Sequence, residues 1–162
     1  MGMPILPLTS ELALHTRRGN QIVNEINREP LRYGDQLRAE DLEREYGFPC
    51  VHRPVNPSRK YNCHGLTFAS RRTWIDSAEE VHKIIREDEY EEINPVARVM
   101  PGDVAVYYGE GGDVEHSGVV IRLDALNVPI ILSKWGACHE IIHPVGRSEY
   151  DASNVKYYRI TT

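Results

Sequence analysis

A thiol and an imidazole carry the strongest chemical signal in this chain. Cys63 lies in Tyr61-Asn62-Cys63-His64-Gly65-Leu66-Thr67-Phe68-Ala69, directly after a stretch broken by Pro49, Pro54 and Pro57. Prolines propagate a helix poorly, whereas Leu66, Phe68, Ala69, Trp74 and Ile75 allow one, so Cys63 is expected at a helix start. A thiol in a first helical turn lies among backbone N–H groups with no intrahelical partner, which favours the thiolate. Downstream, Glu115-His116-Ser117-Gly118-Val119-Val120-Ile121 puts a histidine at the mouth of an apolar strand. A thiolate attacks an amide carbonyl, and a nearby imidazole takes the thiol proton and later gives it to the leaving amine. Against this stand two blander readings. Free cysteine is among the most buried residue types, and a histidine after a Gly-rich turn is commonly a surface residue.

The elements that must position this pair follow from pattern and composition. The 162 residues, 41% apolar and 27% charged, suit one domain with a real core. A net charge of −5 and scattered basic residues, with Arg17-Arg18 and Arg71-Arg72 the only arginine pairs, disfavour a nucleic-acid partner. No apolar run is long enough to cross a membrane. Met1 to Leu8 is too short for a secretory core and has no basic flank, so a cytoplasmic location is expected, with a dedicated secretion system or a phage context as the other route. Three cysteines, Cys50, Cys63 and Cys138, fit free thiols in a reducing compartment.

One domain over 1–162 is expected, in three parts. Residues 1–48 read as helical and polar, with Ile22, Val23 and Ile26 on one short helix and Ala39 to Tyr46 on another, stopped by Gly47 and Pro49. Residues 49–75 read as an irregular loop from Phe48 to Lys60 and then the Cys63 helix, running to about Thr73. Ser77, with Glu80 three residues on, predicts a capping box for a helix that carries Val81, Ile84 and Ile85. Residues 100–162 read as an antiparallel sheet: Val104 to Tyr108, His116 to Leu123, Ile130 to Trp135, Glu140 to His143 and Val155 to Ile160. Helices first and a meander second predict an α+β domain.

Three motifs in this order resemble a known superfamily. Asn62-Cys63-His64-Gly65-Leu66 is similar to the Asp-Cys-Ser-Gly-Leu-type nucleophile motif of NlpC-type and CHAP-type cysteine peptidases and amidases. Pro101-Gly102-Asp103-Val104 is similar to their Pro-Gly-Asp-Leu strand opening, and His116-Ser117-Gly118-Val119-Val120 to their His-Val-Gly-Ile-Tyr strand. The match covers roughly residues 60–135. It departs at Asn62 and His64, where the family usually has aspartate and a small residue. The resemblance implies a papain-like fold, a nucleophile helix packed on a small antiparallel sheet that carries the base. It implies no cofactor, and a substrate amide in a peptide, in peptidoglycan or in a protein side chain.

On this reading Cys63 is the nucleophile, its own N–H an oxyanion donor, and His116 the general base. Ser133 is the first choice to orient the imidazole, by strand position; Glu140, His143 or a backbone carbonyl are the alternatives. Tyr61, His64 and Trp135 are candidates to line the substrate pocket. Each also has an ordinary place, Tyr61 and Trp135 in the core and His64 on the helix surface. Hydrolysis and acyl transfer share the thioester and are not separated here. Two other functions are in play: a papain-fold binding module without catalysis, and a zinc protein using Cys63, His64, His116, Cys138, His139 and His143. Zinc knuckle and finger spacings are absent, and Ile141-Ile142 with Pro144 argue against a zincin helix at His139–His143, so no metal is expected.

Overall fold

The computed structural model describes residues 5, 7–53 and 57–161. Pro54, one of the three prolines of the predicted loop, and residues 1–4 of the apolar start lie outside the described residues. The chain is α+β. In chain order it forms β1 (Thr9–Ser10), β2 (Ile26–Asn27), α1 (Tyr33–Glu45), β3 (Val51–His52), α2 (Cys63–Ala69), α3 (Ala78–Glu87), β4 (Tyr90–Glu92), β5 (Val104–Tyr108), β6 (Val114–Leu123), β7 (Pro129–Lys134), β8 (Glu140–Pro144) and β9 (Val155–Ile160). Seven of these strands form one antiparallel sheet in the order β3-β8-β7-β6-β5-β9-β4.

Alternation along β5 sorts the two faces of the sheet. Val104, Val106 and Tyr108 pack with Val81, Phe68 and Ile85 of the α2–α3 layer, whereas Ala105 and Tyr107 pack with Val120, Ile131 and Tyr157 on the other face. That other face is covered by the 145–152 segment and, toward β8, by α1, where Ala39 and Leu42 meet Trp135, Cys138 and Ile141.

The N-terminal part is not the pair of helices that residues 1–48 predict. Among the described residues only α1 is helical there; Ile22, Val23 and Ile26 lie in extended chain. Ile22 N–H donates to Leu14 O, Glu25 bridges Trp74, and Val23 N–H donates to the Glu80 carboxylate at 2.9 Å. Apolar residues at i, i+1, i+4 fit a helix locally, but these long-range partners decide the conformation. They also claim Glu80. Ser77 caps α3 as predicted, accepting from Glu79 N–H, while Glu80 reaches Val23 and Lys83 instead of closing a capping box. The Cys63 helix ends at Ala69, because Ser70 and Arg71 take positive φ. The five predicted strands form as expected to within two residues, and the two-residue β3 and three-residue β4 are additions at the sheet edges.

Candidate active site

Cys63 is the first residue of α2, and Asn62 is the reason the helix begins there. The Asn62 side chain accepts from Gly65 N–H at 2.9 Å and Ile75 N–H at 3.2 Å, and donates to Ile75 O at 2.7 Å. It therefore caps α2 and ties it to the chain that returns past Thr73. Gly65 permits that return: a Cβ there would lie 1.8 Å from Thr73 O. α2 rests on β6 and β7, and its polar side is fixed by a relay. Thr67 Oγ1–H donates to Cys63 O, Ser117 Oγ–H donates to Thr67 Oγ1, and Ser117 Oγ lies 2.7 Å from His64 Nδ1. With the Ser117 proton spent on Thr67, the His64 Nδ1 carries the proton that completes the relay.

The backbone amides of Ser117, His64 and Cys63 itself act to lower the pKa of the Cys63 thiol. Ser117 sits where the sheet forks. The β6–β7 ladder runs from Leu123↔Pro129 to Val119↔Leu132 and stops, while β6 continues on β5 to Val114 and β7 continues on β8 to Lys134. Despite those amides, burial dominates. The thiol is only 6% exposed and is pushed up to about 11, with the Ser117 and His64 amides and the Lys134 ammonium opposing that rise. The expected low thiol pKa of a helix start is thus overturned in this closed arrangement.

His116 and Ser117 are neighbours on β6 and point to opposite faces. Ser117 meets α2; the His116 ring stands across from Tyr107 (centroids 5.2 Å) and stacks on Tyr150 (3.8 Å, 5° between planes). His116 is fully buried, and neither ring nitrogen has a hydrogen-bond partner. Burial, with His143 and His64 adding, pushes its pKa well below the usual histidine value, so the ring is neutral. No hydrogen bond joins it to Cys63. Gly118, read in the sequence as room for another element beside the histidine, serves β7: a Cβ there would be 2.5 Å from Ile131 Cγ2.

The predicted third member falls elsewhere. The Ser133 hydroxyl is 2.8 Å from His143 Nε2 and accepts from Trp135 Nε1, and His143 Nδ1 donates to Pro144 O. Ser133 therefore orients His143, not His116. Glu140, buried, is the centre of a charged cluster. It accepts from Tyr61 O–H at 2.6 Å, from Arg71 through two nitrogens, and from Arg53. Burial acts to raise its carboxyl, but Arg71, Tyr61 and Arg53 carry it below the usual value.

The three predicted pocket residues are all interior. The Tyr61 hydroxyl is committed to Glu140, so it is not an oxyanion donor here. His64 is buried rather than on the helix surface, and burial pushes it down to about 4. Trp135 packs edge-on with Tyr46 and beside Cys138 instead of forming a cleft wall.

Two residues escaped the sequence reading: Ser117, which anchors α2, and Lys134. The Lys134 side chain is 1% exposed, and its Nζ donates to Ser58 O at 2.6 Å and Gly136 O at 2.5 Å. Alternation from Leu132 puts Lys134 on the face that carries Ser117, a signal readable in the strand pattern. Next to it, Trp74 lies 6.0 Å from Nζ and borders a groove of about 640 Å³ that also holds Glu11, Glu25 and Asp76. Among the described residues, no group of three or more histidine, cysteine, aspartate or glutamate side chains is placed to hold a metal.

Fold and site together define an α+β chain whose helix-start cysteine is sealed against a forked antiparallel sheet. Comparison with family models, curated proteins and solved structures finds no match.

Proposed function

We propose that this chain is a papain-like cysteine hydrolase of the NlpC/CHAP kind that cleaves an amide bond, with Cys63 as nucleophile. One observation carries the reading: Cys63 is the first residue of α2, at a start capped by Asn62, where the amides of Ser117, His64 and Cys63 favour its thiolate. Unpaired amides at a helix start favour the thiolate and then the oxyanion of a tetrahedral intermediate. Attack by sulfur on the carbonyl carbon expels the amine and leaves a thioester, which water resolves to the acid. His116 is assigned the proton transfers. That role requires a rearrangement of β6, because the His116 ring lies on the face of the sheet opposite α2, stacked on Tyr150.

The test is incubation of the protein with purified muropeptides and mass spectrometry of both products and protein. Cleavage, with an acyl adduct on Cys63, is the expected result. Cys63→Ala should lower the rate at least about a thousandfold, as loss of a nucleophile does. Unchanged cleavage by Cys63→Ala overturns the assignment.

A second reading, a binding module without catalysis, is favoured by the sealed thiol and by His116 having no hydrogen-bond partner. It predicts retention of muropeptides with no cleavage by either form.

A further inference from the structure

We propose that Arg71 and Arg53 form a binding site for a carboxylate, held toward solvent by the buried Glu140 beneath them. It holds whether or not Cys63 is a nucleophile.

The site is built from the sheet outward. Glu140 opens β8 opposite Lys134 of β7, and its side chain is 1% exposed. A buried carboxylate needs donors that replace its lost water. Tyr61 O–H and Arg71 Nε–H reach Oε2 at 2.6 Å each, and Arg71 Nη2 reaches Oε1 at 3.0 Å. Those contacts satisfy both oxygens and balance the charge. Arg53 is therefore surplus to the needs of Glu140, and its guanidinium makes one bond, from Nη1 to Oε1 at 3.2 Å. Two guanidinium cations stand over one carboxylate, and neither has another acidic partner among the described residues. This local positive excess lies on a chain whose net charge is −5.

The unused N–H groups decide what the excess can bind. A guanidinium carries five N–H donors in a planar fork. Glu140 takes the Nε–Nη2 edge of Arg71, which leaves the Nη1–Nη2 edge, a second pair of parallel donors that matches a carboxylate. Arg53 keeps Nε and Nη2. These donors have no acceptor among the described residues, and the Arg71 and Arg53 side chains are 44% and 39% exposed above their sealed anchor. Arg71 Nη2 and Arg53 Nη1 share Oε1, so one planar anion can accept from both groups. The backbone is shaped to put Arg71 here. Ser70 and Arg71 take φ of 51° and 65°, a region unfavourable for residues with a side chain, and Arg71 N–H is fixed on Gly65 O at 3.0 Å. One positive charge in excess suits a monoanion. The assigned ligand is therefore a peptide carboxylate, at a chain end or on an acidic side chain, rather than a phosphate. Tyr61 lies two residues before Cys63, so a peptide held here lies beside the start of α2.

The probe is N-acetyl-L-alanine, with its amide as the uncharged control, titrated while proton–nitrogen NMR follows the side-chain N–H signals of Arg71 and Arg53. Saturable shifts of both with the acid, in the millimolar range, and none with the amide are expected. Sodium chloride at matched ionic strength controls for screening. An equal response to acid and amide, or one that chloride reproduces, overturns the site. Inorganic phosphate is titrated separately, and saturation at a lower concentration than the acid overturns the assigned class. Arg53→Gln leaves Glu140 its pair with Arg71 and should weaken the acid about tenfold, the scale of one charge-assisted hydrogen bond. Arg71→Lys keeps the charge but loses the fork, and should weaken it similarly. Arg72→Gln, at the neighbouring arginine whose Nε donates to Ala69 O, should bind as the native chain does. Native affinity in folded Arg53→Gln, or an equal loss in Arg72→Gln, overturns the site. If a variant fails to fold, the acid–amide comparison in the native chain still decides. No readout uses cleavage, so failure here leaves the hydrolase reading standing, and failure of that reading leaves this site standing.

Discussion

Mild acid should loosen this fold before its carboxylates begin to protonate. His64 and His143 are buried as neutral rings, each pushed by burial from 6.5 down to about 4. The unfolded chain binds protons at these two sites near pH 6.5 and the folded chain only near 4. Between those values the unfolded state holds more protons, so stability is full above about 6.5 and falls as the pH drops toward 4. At about pH 5 each ring contributes a loss of about 2 kcal/mol, so the pair removes about 4 kcal/mol of a total that for a domain is typically about 5–15 kcal/mol. His116, lowered still further, acts in the same direction. Carboxyls held low by their partners, such as Asp35 and Glu140, weaken the fold only below their ordinary values of 3.8 and 4.5, which keeps the two windows apart. Urea unfolding followed by tryptophan fluorescence, at about pH 7, 6 and 5, reads the effect as a falling midpoint at constant slope. His64→Gln should remove about a third of the pH dependence, one of three buried neutral rings. A midpoint that does not move between pH 7 and 5, or ring signals titrating near 6.5 in the folded state, would refute the reasoning.

Two further outcomes follow from named contacts. Gly65→Ala puts a methyl 1.8 Å from Thr73 O, so α2 must separate from the 73–75 segment that Asn62 holds. A loss of roughly 3 kcal/mol or more is expected from such overpacking, seen as a lowered melting temperature, and a native value would show that the chain yields easily there. Glu140→Gln removes the charge that Arg71, Arg53 and the Tyr61 hydroxyl share. Because both arginines reach solvent, the expected loss is about 1–3 kcal/mol, below that of a fully buried pair, and thermal unfolding checks it.

The sequence was most legible where local signals and tertiary partners agree. Ser77 before Ala78, Asn62 before Cys63, and apolar runs bounded by Gly and Pro all name elements that form. It failed at Ile22–Ile26, where the deciding partners, Trp74 and Glu80, are about fifty residues or more away. The site was half legible. Cys63 at a helix start needs only local rules, whereas the side of the sheet that a histidine faces depends on strand register. One step along β6 exchanges His116 for Ser117 under α2. Ser133 had the right chemistry for an orienting group and the wrong imidazole. Lys134 escaped because a lysine closing a strand reads as an exposed end, whereas here the Ser58 and Gly136 carbonyls hold its ammonium inside.

The strand order has a consequence for how the chain is made. β9 lies between β5 and β4, so two ladders, Val104–Tyr107 on one side and Tyr90–Glu92 on the other, wait for residues 155–160. During synthesis the Cys63 helix and β5 emerge long before that strand, leaving one edge of β5 bare and β4 without a partner. Unpaired edges of this kind recruit other strands. The nascent chain is therefore most exposed to mispairing in the interval between β8 and β9, and shortening that interval, rather than stabilising α2, is what should raise the yield of folded protein.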